Sequence, residues 1–401
     1  MKKIYITKLE IKKVRHLENV TIKLPDTSPH HLIFTGRNGS GKTSVLDAIA
    51  AYLKSVHQYL ALDSASQPIL DNLSPEQLRR IQAYSHALTT QNASVRLSFN
   101  KSLENWREQY ANGEFLLAYY TCDRSFHAEI SEHIEKVSLD DAYDLTDAPR
   151  NLFVKYLVDL KVTEALARTK ANKEKADSIN NWFIQFERLL QQIFEDPALR
   201  LEFNEDNFSF MICQSGKEPY DFNCMSSGFS AIMDIVLDLM IRMVKKKGRI
   251  FEFDLPGIVL IDEIETHLHL ELQKQIMHIL TSLFPNIQFI VSTHSPFVLN
   301  SLDNVVIYDL ENRILVQNGL ADIPYDGIVK GYFQVDTLSD TLKQKFEKYK
   351  TLVHKSELTD DDFEEIAELE MFLDEIPDYL ALDITTEYQQ LKAELMQRED
   401  I

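Results

Sequence analysis

Cysteine is scarce: Cys122, Cys213 and Cys224 are the only three in 401 residues. They are too few and too scattered for a disulfide framework or a zinc site, and they point to a reducing, cytoplasmic setting. Basic charge is also in deficit. Lys and Arg number 42 against 62 Asp and Glu, for a net charge of -20 and a pI near 5.0. That balance excludes non-specific coating of the whole surface by nucleic acid, while a local basic patch stays open. Long apolar runs are missing too. The N-terminal MKKIYITKLEIKKV has no secretory apolar region. AIMDIVLDLMIRMV is interrupted by Asp234, Asp238 and Arg242, and GIVLIDEI is too short to span a bilayer. The sequence predicts no direct membrane association, no internal repeat and no low-complexity tract.

What is present suits a soluble protein of two or three structural units, with 44% hydrophobic and 26% charged residues. KIYITKLEIKKV and NVTIKL alternate with period two and read as strands around a turn at His16-Leu17-Glu18. Residues 57–93 read as polar and helical, and ASVRLSF and EFLLAYY as strands. From Asp140 to Leu201 the spacing predicts a helical hairpin bending at RTKANKEKADS. LEFNEDNFSFMIC returns to strand character, and SSGFSAIMDIVLDLMIRMVKKKG predicts an amphipathic helix closed by Gly248. GIVLI and NIQFIVS are buried strands, NVVIYDL and RILVQ form a further pair, and strands alternating with helices are the pattern of a mostly parallel sheet. From Asp340 to Asp400 there are 18 Asp or Glu against 7 Lys or Arg, a net of -11. Phe363, Ile366, Leu369, Phe372 and Leu373 recur there at three and four, which predicts one apolar helical face on an anionic body.

The chemistry begins at GRNGSGKTS: Gly36, Arg37, Asn38, Gly39, Ser40, Gly41, Lys42, Thr43 and Ser44. The glycines let backbone N–H groups turn inward around phosphate oxygens. Lys42 adds a point charge, and the Thr43 hydroxyl can reach Mg2+. With a strand before it and a helix after it, this is a phosphate loop for ATP rather than a chance glycine turn. LIDE, at 260–263, ends a second buried strand in two carboxylates. Asp262 would orient the metal, and Glu263 would polarise the attacking water as general base. FIVSTHSP ends a third strand, from which His294 could contact the terminal phosphate. Its place 31 residues after Glu263, beyond one crossover helix, favours that role over a bland core-edge histidine. Ser226, Ser227 and Gly228 open a helix and offer another anion site. It makes sense if it closes over nucleotide held by another copy.

These four elements, in this order, resemble an ATPase of the ABC superfamily. Ser226 to Ser230 resembles the signature L-S-G-G-Q, with Met225 for leucine and with Ser227 and Phe229 where glycine and glutamine would be. K-L-E-I-K-K-V-R-H-L-E-N-V-T-I resembles the opening of the RecF, SMC and OLD branch. D-E-I-E-T-H-L-H-L and S-T-H-S-P-F-V-L resemble the OLD-like group of antiviral defence modules. G-Y-F-Q-V-D-T-L-S-D-T-L and the acidic tail resemble Septu-type and retron-associated ATPases. The resemblance implies an α/β ABC-type head: an antiparallel lobe carrying the phosphate loop, a helical insertion, a second half completing the parallel sheet, and a C-terminal helical region. The corresponding boundaries are 1–130, 131–200, 201–335 and 336–401. It further implies ATP sandwiched between two subunits of a homodimer or higher homo-oligomer, with Glu265 to His269 as the loop crossing the seam. A separate effector, a nuclease, would be the partner. The Q-loop position falls at Asp123 and Arg124, without its glutamine.

Other readings are weaker. His267, His269, His278 and His294 admit a metal site, but the seam loop already accounts for the stretch. LKVTEALARTK, Lys245 to Lys247 and the N-terminal Lys2, Lys3, Lys8, Lys12 and Lys13 admit nucleic acid, and a solvated face accounts for the first two. The alternatives to a defence regulator are a RecF-like DNA repair ATPase and a transporter-energising subunit.

Overall fold

The computed structural model describes residues 3–65, 94–129, 133–247, 251–323, 327–329, 340–374 and 382–397. The helical stretch expected at 57–93 lies outside the described residues beyond Ala65, as do Lys2, Gly248 and the segment at 331–339.

The N-terminal alternation forms β1 (Ile6–Val14) and β2 (Leu17–Lys23), an antiparallel pair with Leu9 opposite Ile22 and Ile11 opposite Val20. The turn sits at Arg15 and His16, earlier than expected, because Leu17 is core and is drawn into β2. Next come β3 (His31–Thr35), α1 (Lys42–Ala65), β4 (Val95–Phe99), α2 (Leu103–Ala111) and β5 (Leu116–Tyr120). The insertion is a hairpin of α3 (Phe153–Thr169) and α4 (Lys173–Ile193), broken at Lys170 to Asn172. The chain continues through β6 (Arg200–Asn204), β7 (Ser209–Cys213), α5 (Ser227–Lys247), β8 (Gly257–Ile261), α6 (Leu270–Leu283) and β9 (Ile287–Ser292). Then follow α7 (Pro296–Leu299), β10 (Val305–Asp309) and β11 (Leu315–Val316).

Among the described residues the strands form three sheets: an antiparallel β2-β1-β4, a six-stranded β11-β10-β3-β9-β8-β5, and the β6-β7 ladder. In the six-stranded sheet every pairing is parallel except β10 with β11. β3, β8, β9 and β10 are buried at every position, as strands covered on both faces must be. The phosphate-loop strand β3 therefore belongs to the parallel sheet, between β10 and β9, and not to the antiparallel lobe. Its run is apolar without alternation, which suits a two-sided environment. One core joins the two sheets through α1: Val45, Leu46 and Ile49 pack with Ile11 and Leu97 on one side and Phe34, Leu260 and Ile290 on the other.

The helix expected to be amphipathic is not. Every residue of α5 from Ser230 to Val244 is buried, charges included. Asp238 accepts from Tyr120 Oη and from Arg242 Nε, both at 2.6 Å. Arg150, in the 3-10 turn (Pro149–Leu152) before α3, pairs with Asp234 and lies 3.5 Å from Asp238. Arg242 also donates to the carbonyls of Leu117, Asp144 and Asp147. Asp238 and Arg242 are paired and hydrogen-bonded, which makes their burial tolerable, and Asp234 is offset by its ion pair with Arg150. The pairs fasten the insertion and β5 to α5.

The chain divides into two compact units, Met1–Ile323 and Pro324–Ile401. The second holds α8 (Asp340–Val353), α9 (Asp360–Asp374) and α10 (Leu382–Met396). Ile366, Leu369 and Leu373 of α9 are buried against Phe346 and Tyr349 of α8 and Tyr388 and Leu391 of α10. The apolar face expected on an anionic body is thus turned inward as the core of this unit, rather than offered to a partner. Its spacing is the same for either use, and the partner helices decide.

His31 makes the fold sensitive to acid. It is buried at the start of β3, where its Nδ1 accepts from the backbone N–H of Phe289 at 3.1 Å, so the ring is neutral. Burial, with a smaller contribution from His30, holds its pKa down at about 4. The unfolded chain, with an ordinary histidine near 6.5, takes up the proton first. The stabilising contribution is full above that value and is lost as pH falls from about 6.5 to about 4. Between pH 7.5 and pH 5 the wild type should lose about 2 kcal/mol more than His31→Asn, which keeps an acceptor but does not titrate. Urea midpoints of both proteins at the two pH values check this, and parallel losses would remove His31 from the acid response.

Candidate functional site

The carboxyl ends of β3, β8 and β9 lie side by side. Each releases a turn at the same edge of the sheet, so motifs far apart in sequence meet. After β3 the chain winds through Gly36, Gly39 and Gly41, at φ 129°, 85° and 98°, a region that side-chain-bearing residues rarely adopt. Arg37, Asn38 and Gly39 form the exposed tip, Ser40 is buried, and Lys42, Thr43 and Ser44 begin α1. Lys42 Nζ lies within the loop, donating to the carbonyls of Gly36 at 2.9 Å and Arg37 at 3.2 Å. Burial lowers its pKa, while Glu263, Glu265 and Asp262 pull the other way.

Asp262, 1% exposed, is the hub. Its Oδ2 accepts from Thr43 Oγ1 at 2.8 Å and its Oδ1 from Ser292 Oγ at 2.5 Å. Ser292 Oγ in turn accepts the Glu263 N–H at 2.8 Å. Glu263 is half-buried, with φ 45°, a left-handed value for a residue that is not glycine. Glu265 reaches the third strand end: its carboxylate accepts from Thr293 Oγ1 at 2.7 Å and from the His294 N–H at 2.5 Å. His294 is half-buried and its Nε2 is buried without a hydrogen-bond partner. Burial, then Lys42, lowers its pKa, so the ring is neutral near pH 7. The set offers a phosphate cradle, two hard oxygen ligands, a carboxylate and an unsatisfied imidazole nitrogen in one place.

Ser226 and Ser227 stand exposed at the start of α5, and among the described residues no hydrogen bond joins them to the phosphate loop. Gly228 is buried against the loop at Glu265 to His269, where a Cβ would lie 2.9 Å from the His267 carbonyl oxygen. Phe229 stacks on Phe194 at the end of α4, with centroids 4.1 Å apart. The departure from glutamine at this position therefore supplies a packing contact to the insertion. Among the described residues no group of three or more His, Cys, Asp or Glu is placed to hold a metal ion by itself. Lys8 pairs with Glu10 and Lys13 with Glu18, so the N-terminal hairpin is less basic than its lysines imply.

Glu311 is a neighbour the motifs do not announce. Its carboxylate accepts the Arg37 N–H at 3.1 Å and lies 3.8 Å from the Arg37 guanidinium. It arrives beside the loop only because β10 pairs with β3, which no local pattern encodes. In the sequence only the position of Arg124 after β5 sets it apart. It lies 4% exposed beneath the carboxylates and bonds the backbone of Asp262 and Glu263.

Comparison with known proteins gives a family and several relatives. The family described as "AAA domain, putative AbiEii toxin, Type IV TA system" matches residues 32–300. The chain is 28% identical over 394 residues to "Septu protein PtuA" of Bacillus mycoides (strain KBAB4), covering 91% of this chain and 50% of that protein. It is 23% identical over 368 residues to "Retron Vc95 probable ATPase" of Vibrio cholerae serotype O1 biovar El Tor, covering 73% and 71%. The chain thus spans half the length of the first of these relatives. The solved SMC head domain from Thermotoga maritima is a looser likeness, with TM-score 0.37 and 14% identity over 78% of this chain and 97% of that one.

Gly228→Ala should cost about 1–3 kcal/mol, because the methyl group must push the His267 backbone aside. Chemical denaturation reads this directly. A cost under about 0.5 kcal/mol, the scale of a neutral surface change, would mean that the contact between α5 and the loop at Glu265 to His269 yields freely.

Proposed function

The chain belongs to the AAA-domain family matched by its residues 32–300, and from that premise we propose that it binds and hydrolyses ATP as the regulatory subunit of a prokaryotic antiviral defence system. The observation that carries the reading is the shared carboxylate of Asp262, which joins the phosphate loop through Thr43 to the switch strand through Ser292. The β- and γ-phosphates would lie in the Gly36–Ser44 loop, with Lys42 turning from the loop carbonyls to phosphate oxygens. Thr43 and Asp262 fit Mg2+, which takes a few hard oxygens from protein and fills its octahedron with phosphate and water. The metal supplies charge neutralisation on the phosphate oxygens. Glu263 accepts the proton of the attacking water, and neutral His294 directs Nε2 at the terminal phosphate and holds that water in line. The rest of the nucleotide would extend into the pocket lined by His16, Arg37, Glu311 and Arg313.

Ser226 to Gly228 complete the site in trans in this reading. The exposure of Ser226 and Ser227 supports closure over the nucleotide of a second copy. The likeness to a Septu protein and a retron ATPase supports the defence role and a separate effector, which we take to be a nuclease. The paired N-terminal lysines weaken the repair alternative. Among the described residues no helix is long and apolar enough to cross a membrane.

Glu263→Gln should lower turnover by about 10²–10⁴-fold while retaining ATP, and should accumulate an ATP-dependent dimer visible by light scattering. Lys42→Ala should instead weaken nucleotide affinity about 10–100-fold and stay monomeric with ATP. Wild-type turnover in the Glu263→Gln protein would remove Glu263 from the mechanism. A Glu263→Gln protein that holds ATP as a monomer would remove the trans site.

The effector is proposed to dock on the unit Pro324–Ile401, where α9 carries eight Asp or Glu and no Lys or Arg. Affinity capture from the native host should recover a second protein with the full chain and lose it with a chain ending at Ile323. Equal recovery by both would place the docking surface on the head.

A further inference from the structure

Glu263 is held in a conformation it would not choose. A left-handed φ at a non-glycine residue costs on the order of 1–3 kcal/mol and persists only where neighbours fix it. Three side-chain groups do so. Ser292 Oγ holds its N–H at 2.8 Å, Arg124 Nη2 donates to its carbonyl at 2.8 Å, and Arg124 Nη1 donates to the carbonyl of Asp262. One guanidinium therefore grips both peptide oxygens that bracket the Glu263 Cα. Arg124 is itself anchored by the Thr121 carbonyl at 2.9 Å.

The segment that carries Arg124 continues to the start of α5. The Phe126 N–H donates to Ser230 Oγ at 2.9 Å. The Ala128 N–H donates to Asn223 Oδ1 at 2.7 Å, and Asn223 Nδ2 returns a bond to the Ala128 carbonyl at 3.1 Å. Asn223 lies in the 3-10 turn (Phe222–Cys224) that leads into Ser226 to Gly228, and Ser230 lies just beyond them. Residues 121–128 are thus bonded at one end to the backbone under the proposed base and at the other to both flanks of the exposed serines.

We propose that Arg124 is the positioning residue that sets the Glu263 carboxylate for water activation, and that residues 121–128 couple this setting to the Ser226–Gly228 segment of the same chain. A nucleotide drawn against that segment by a second copy would then adjust the base of the opposite site, so the two sites of a dimer would fire in concert. The inference rests on the ATPase reading and adds the internal link between its two half-sites.

Arg124→Met removes both guanidinium bonds, leaving the Glu263 backbone held by Ser292 Oγ and the Thr266 N–H alone. It should lower kcat about 100-fold, the effect of a displacement near 1 Å at a reacting group. ATP affinity and a stoichiometry near one per chain should hold, because Arg124 bonds no atom of the phosphate loop. Arg124→Lys, which can satisfy one carbonyl, should recover part of kcat. Ser230→Ala, which cuts the far end of the link, should lower kcat about fivefold with affinity unchanged, on the scale of one hydrogen bond. Steady-state kinetics beside equilibrium binding of labelled ATP reads all three. Turnover within twofold of wild type in Arg124→Met, or affinity and stoichiometry falling together with kcat in all three variants, overturns the inference and leaves the ATPase reading intact. A wild type that binds ATP but never hydrolyses it overturns that reading, and this inference with it.

Discussion

Asp262 carries two obligations at once. A carboxylate 1% exposed must have its charge answered by hydrogen bonds or by a metal. It takes them from Thr43 on one side and Ser292 on the other. Thr43 opens α1 directly after the loop released by β3, Ser292 is the last residue of β9, and Asp262 begins the turn released by β8. Satisfying one buried charge therefore fixes the relative height of three strand ends. The parallel ladders enforce the same register, with Ile33 opposite Val291 and Ile261 opposite Val291. Sheet and site reinforce each other: slipping any strand by one residue would orphan the carboxylate.

A second set of charges governs the helical side. Asp234, Asp238 and Arg242 lie on one buried helix, and their partners come from β5 and from the turn before α3. Buried pairs of this kind add little net stability over an apolar core, but breaking one is costly, so they act as registration pins. Here they pin the insertion to α5, the helix that begins with the exposed serines. Phe229 on Phe194 adds an apolar contact between the same two parts. The insertion is thus held to α5 at its beginning by Arg150 and at its end by Phe194.

The sequence shows some of this and hides the rest for physical reasons. The glycine loop, the D-E strand end and the T-H strand end are local patterns, each readable from residue type and spacing, and the structure brings Thr43, Asp262 and Ser292 within hydrogen-bonding reach. Strand order is not local. Nothing in LIFT says that β10 will lie on one side and β9 on the other, so β3 reads equally well as part of an antiparallel lobe. The stripe in α9 and the charges in α5 mislead for a related reason. Periodicity reports which residues share a face, but not whether that face meets solvent, another helix of the same unit or a buried arginine. Arg124 is the extreme case, since no pattern distinguishes an arginine that binds its own backbone from one on the surface.

The placement of β3 also explains why one short loop depends on so much chain. The phosphate loop precedes β5, β8, β9, β10 and β11 in sequence, yet β3 lies inside the sheet those strands build. Until β9 and β10 close on it from either side, the left-handed glycines have no support, because the brace at Arg37 is Glu311 from beyond β10 and the brace at Thr43 is Asp262 from beyond β8. Loop geometry is therefore a property of the finished sheet rather than of its own nine residues. By the same logic, any force that shifts β8 relative to β9 acts first on Asp262 and Glu263, whose hydrogen bonds span that boundary. The water-activating carboxylate of the proposed mechanism sits where the sheet is most easily read by its neighbours.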